Sequence, residues 1–78
     1  MNDRLKNLLA TIFDMKPSEI NASLTQEQIY KWDSLTHMEL ITSLEKEFQT
    51  EFSMEEIVEM TSITNIISLL ETRGITHA

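Results

Sequence analysis

Apolar residues recur with a helical period at both ends of the chain and through its middle. Leu5, Leu8, Leu9, Ile12 and Phe13 stand at i, i+3, i+4, i+7 and i+8, one face of a helix, with Arg4, Lys6 and Asn7 outside it. Asn2 or Asp3 is the natural N-cap. Pro17, which lacks an N–H and pushes Lys16 out of the α region, is expected to end this helix at about Met15. A second helix is expected from about Ser34 to Gln49, where Leu40, Leu44 and Phe48 recur every four residues with Ile41 alongside. Leu35 and Met38 lie on another side of it, near Glu39, Thr42 and Glu45.

Ser53 and Glu56 have capping-box spacing, so Met54 to Glu59 should form a short helix with Ile57 and Val58 inward. Thr61 or Ser62 should cap a last helix whose core face is Ile63, Ile66, Ile67 and Leu70, ended by Gly74, the only glycine, in a left-handed conformation. Ile75 to Ala78 should fray. Between the first two helices, Ser18 to Asp33 has no period. It reads as a long connection anchored by Ile20, Leu24, Ile29 and Tyr30, with a helical turn near Glu19-Ile20 and another opened by Thr25 and Gln28. Nothing requires strands. The expected fold class is all-α, a small four-helix bundle of three main helices and one short one, with a long loop between the first and second.

Seventy-eight residues suffice for one domain with a small core, and residues 1–78 are read as one. No apolar run reaches the length of a membrane span and no basic leader precedes an apolar stretch, which points to the cytoplasm. Charge sharpens the picture. Residues 1–32 balance four acids against four bases, so the whole net charge of −7 arises from Asp33 onward. Such a field repels nucleic acid and anionic membranes and steers the chain toward basic protein surfaces. The absence of cysteine removes disulfides, thiolate nucleophiles and zinc clusters, so any thiol chemistry must be borrowed from a cofactor.

Ser34, directly after Asp33, puts a hydroxyl at a helix N-terminus, where unpaired N–H groups and the macrodipole favour bound phosphate. Taken alone, the residue is an ordinary first-turn serine. Asp33-Ser34-Leu35, followed by Met38-Glu39-Leu40 and Leu44-Glu45-Lys46-Glu47-Phe48, resembles the prosthetic-group segment of acyl carrier proteins, and the similarity extends over nearly the whole chain. The resemblance implies a four-helix bundle in which Ser34 bears 4′-phosphopantetheine, taken from coenzyme A, with Asp33 and Leu35 flanking it. It implies an acyl carrier that is not an enzyme, holding intermediates as thioesters for fatty acid biosynthesis or for a specialised polyketide, peptide or polysaccharide pathway.

The implied partners are a phosphopantetheinyl transferase and acyl-transferring or synthase enzymes with basic patches, met by a monomer. Leu35, Met38, Glu39, Glu45 and Glu56 are the expected contact residues. The family's usual glycine and small residue before the aspartate are replaced by Lys31 and Trp32. Trp32 is expected to pack against the arm or a partner, and the pair opens the side-pathway alternative.

Three other readings compete with this one. Ser34 and His37 stand at i, i+3 like a nucleophile and base, but a hydrolase also needs an orienting third group, an oxyanion hole and a pocket. The acids show no calcium-loop spacing with its turn glycine, so no metal site is expected. The remaining alternative is an unmodified acidic helical adaptor for a basic partner, which would have no use for Ser34.

Overall fold

The computed structural model describes residues 1–75. Helix α1 spans Asp3–Phe13, α2 Ser34–Phe48, α3 Met54–Glu59 and α4 Ile63–Thr72, with 3-10 turns at Pro17–Glu19 and Gln26–Gln28 in the long connection. No strand forms among the described residues; one isolated antiparallel bridge joins Thr25 to Ser62. The fold class is therefore the all-α bundle that the periodicity predicts.

Side-chain caps fix the starts of the four helices. Asn2 accepts from Leu5 N–H, Asp33 from Thr36 N–H, Ser53 from Glu56 N–H and Ser62 from Asn65 N–H, each satisfying a donor with no intrahelical partner. At the far end of α1 the expectation needs correction. The helix stops at Phe13, not Met15, because Asp14 turns left-handed at φ 54°, and Met15 N–H returns to the Ala10 carbonyl at 2.9 Å. Pro17 instead opens the first 3-10 turn. Gly74 does adopt φ +80°, as expected of a residue after the end of α4. Ile75 is not frayed, since its N–H reaches the Leu70 carbonyl at 3.0 Å and its side chain packs on the core. The rest of the segment expected to fray, residues 76–78, lies outside the described residues.

Helices α1 and α2 run antiparallel, because Arg4 at the start of one pairs with Glu47 at the end of the other while Phe13 meets Trp32 just before α2 begins. Leu5, Leu9, Leu40, Leu44, Met60, Ile63, Ile66 and Leu70 are fully enclosed between them and α4. Leu8, Ile12, Phe48, Ile57 and Ile67 are only partly buried around that centre. The long connection is sewn to the entry of α4 by Gln26 N–H to Thr61 O at 2.8 Å, Ile63 N–H to Leu24 O at 3.0 Å and the Thr64 hydroxyl to Ala22 O at 2.6 Å. The radius of gyration, 11.2 Å, matches the about 11.5 Å of a folded chain this long, so the connection wraps the helices.

Two expected inward residues point out. Tyr30 and Val58 are exposed, while their neighbours Ile29 and Ile57 turn toward the core, because a six-residue α3 and a single turn of loop can each bury only one narrow face.

Arg73 ties α3 to the end of α4: it pairs with Glu56 and lies over the Phe52 ring, 4.6 Å from its centroid. This guanidinium and the Ser53 backbone amide lower the Glu56 carboxyl from 4.5 to about 2. The folded chain thus binds this proton more weakly than the unfolded one. The stabilisation is whole above pH 4.5 and is lost as pH falls toward about 2. Thermal melts across this window should show a decline that is shallower in Arg73→Gln; equal slopes would assign acid sensitivity to other carboxyls.

Candidate functional site

The site is built at the start of α2. Three hydrogen bonds hold the backbone leading into it: Trp32 N–H bonds Ile29 O at 3.0 Å, Asp33 N–H bonds Lys31 O at 2.9 Å, and the Gln26 side chain donates to Trp32 O at 3.3 Å. The approach is therefore a fixed turn. Asp33 then caps α2 through Oδ1, 2.9 Å from Thr36 N, and its carboxyl is held below the usual value chiefly by that backbone bond and the Thr36 hydroxyl. Thr36 is buried and packs the first turn down.

Ser34, the first helical residue, is exposed, and its hydroxyl has no hydrogen-bond partner among the described residues. Its oxygen is open to an incoming enzyme. The unpaired amides and positive pole of α2 surround it, while the Asp33 carboxylate is drawn aside onto Thr36. Those surroundings suit a phosphodiester on Ser34 Oγ.

Trp32 is not available to an arm or a partner, which corrects the sequence reading. It is 3% exposed, its ring lies 4.7 Å from Phe13, and its Nε1–H donates to His37 Nδ1 at 2.9 Å. The other imidazole nitrogen, Nε2, lies 2.7 Å from the Ile57 carbonyl. Because an indole N–H can only donate, Nδ1 must accept, so Nε2 carries the hydrogen and donates to Ile57. A single neutral tautomer thus bridges the turn before Ser34, α2 and α3. It also settles the Ser34–His37 pair, since both ring nitrogens are occupied and neither can take a proton from the serine. Sequence spacing alone does not pair Trp32 with His37; the available signal was a bulky aromatic with one donor, five residues before a histidine.

Leu35 and Met38 are 72% and 52% exposed. The three singled-out acids differ. Glu39 is exposed with no intramolecular partner among the described residues, Glu45 accepts from Phe52 N–H at 2.9 Å, and Glu56 is held by Ser53 N–H at 2.8 Å and by Arg73. Two residues outside the expected set, Met54 and Val58, are 75% and 71% exposed on α3, flanked by exposed Glu55 and Glu59. Their i, i+4 spacing on a helix too short to bury two faces was the missed signal. No cluster of metal-ligating side chains occurs among the described residues, and no described helix is long and apolar enough to cross a membrane.

Among protein-family models, the one described as phosphopantetheine attachment site matches residues 3–70, from the first turn of α1 to near the end of α4.

Proposed function

The chain belongs to the phosphopantetheine attachment family, and on that premise we propose that it is an acyl carrier whose attachment residue is Ser34. Membership implies a covalently attached 4′-phosphopantetheine. When bound, that group supplies a thiol on which acyl groups travel as thioesters, in a chain with no cysteine of its own. The observation that carries the reading is the exposed Ser34 hydroxyl, without a partner among the described residues, beside an Asp33 carboxylate committed to capping α2.

Each nearby residue then has a role. Asp33 fixes the start of α2, the N-terminal amides of α2 would hold the phosphodiester, and the Trp32–His37–Ile57 chain holds the turn for a transferase to engage. The proposed role is that of a carrier and not of an enzyme. Leu35 and Met38, with Met54 and Val58, offer apolar contacts, and Glu39 with Glu55 and Glu59 offers charge to basic surfaces. Glu45 and Glu56 keep the fold first, so their part in docking is the smaller. We place the protein in the cytoplasm as a monomer that meets its transferase and acyl-handling enzymes briefly, with specificity in the rate of encounter.

Intact mass after incubation with coenzyme A and a broad-specificity transferase tests the proposal: one phosphopantetheine should be gained. No gain on folded protein would favour an unmodified acidic adaptor. Glu39→Lys should slow loading on the order of tenfold at low ionic strength, with an unchanged melting temperature, and added salt should narrow the difference. Equal loading rates at all salt concentrations would remove electrostatic docking from the account.

A further inference from the structure

Two shallow depressions on the α1–α2 face meet end to end. The first, beside Ser34, is formed by Leu35, Met38 and Thr42 of α2 with Ile12 of α1. The second runs past Leu8 to Lys46. Ile12 and Ser43 border both, so they form one continuous groove that starts at the residue after Ser34. We propose that this groove is the resting bed of the prosthetic arm on the outside of the bundle. The inference rests on Ser34 being the attachment residue.

Length and chemistry fit this occupant. The arm has about fourteen chain atoms from phosphorus to sulfur, which at roughly 3.3–3.6 Å per three extended backbone atoms span about 16 Å. The rise along α2 from Ser34 to Lys46 is about 18 Å, so the thiol lies between Ser43 and Lys46. The arm carries its branched apolar carbon near the phosphate and its amides beyond, and the groove is graded likewise: Leu35, Met38 and Ile12 near the root, then a mainly polar lining with Asn7 and Lys46 past Ser43, where the two depressions join. Ser43 borders both depressions, so this neck between them is where a bulky side chain would stand in the arm's way.

Isotope-labelled protein, unloaded and loaded from coenzyme A, tests this by NMR. The expected result is amide shift changes that extend from Leu35 through Ser43 to Lys46 and reach Leu8, with nuclear Overhauser contacts between the arm's geminal methyls and Ile12. Ser43→Tyr should fill the neck and abolish those contacts while the mass gain remains; Thr42→Arg, at an exposed position, blocks the same place from the rim. Shifts confined to Asp33–Leu35, shifts centred on Ile57 and Met60, or contacts that survive both substitutions would each overturn the groove. Absence of any mass gain at Ser34 would overturn it too, but through failed attachment, which mass spectrometry separates from a loaded arm lying elsewhere.

Discussion

Ser34→Ala should gain no phosphopantetheine under conditions that load the natural chain completely. Its stability should stay within about 0.5 kcal/mol, the usual range for an exposed substitution that removes no special contact. Both halves follow from one geometry. The serine hydroxyl holds nothing in the fold, and the cap that α2 needs comes from Asp33, which the substitution leaves in place. Asp33→Ala should behave in the opposite way, lowering the melting temperature through the lost cap while leaving a nucleophilic hydroxyl present. A Ser34→Ala protein that still loads would move the attachment elsewhere. One that unfolds would make the serine structural.

The largest stability effect is expected at His37. His37→Ala strands the Trp32 indole N–H and removes one of the two hydrogen bonds to the Ile57 carbonyl, which keeps Met60 N–H. With about 1–3 kcal/mol for a buried polar group left unpaired, a loss of about 1–3 kcal/mol is expected, or roughly 5–20 °C in melting temperature for a domain of this size. Trp32→Phe removes the same indole–imidazole bond from the other side, so the two substitutions should be non-additive in a double-mutant cycle. Strict additivity, or a His37→Ala loss under about 0.5 kcal/mol, would mean that the bridge carries no structural weight. The cycle also bears on function: a loosened Trp32 should slow loading at Ser34, two residues away, without touching the hydroxyl.

Features set by neighbours in the chain are legible in the amino-acid sequence itself. The Ser53–Glu56 capping box, the Met54–Glu59 bounds of α3 and the left-handed Gly74 each depend on a few consecutive residues, and all three form as the local pattern predicts. The start of α2 at Ser34 is legible for the same reason. Where two local signals compete, the pattern misleads: Pro17 is the stronger breaker by composition, but Asp14 ends α1 three residues earlier because an aspartate tolerates the left-handed turn. Pairings made across the fold are out of reach of any local pattern. Trp32 reads as an exposed aromatic in a loop, yet Phe13 and His37 close over it, and Met60, fully buried between α3 and α4, has no periodic partner in the short stretch around it. Tyr30 and Val58 show the converse, apolar residues next to buried ones that the geometry of a short turn leaves outside. Glu45 reads as a surface charge, and only its bond from Phe52 N–H reveals it as structural, as the Arg73 pair does for a Glu56 whose capping box was already legible.

The carrier reading stands on a single covalent bond. Loaded protein cut by trypsin should release the peptide from Trp32 to Lys46, bounded by cleavage after Lys31 and Lys46, and fragmentation of that peptide locates the added mass. Phosphopantetheine on Ser34 alone is the expected result. The added mass on Thr36, Thr42 or Ser43, on any other peptide, or on none although the protein is folded, would contradict the account.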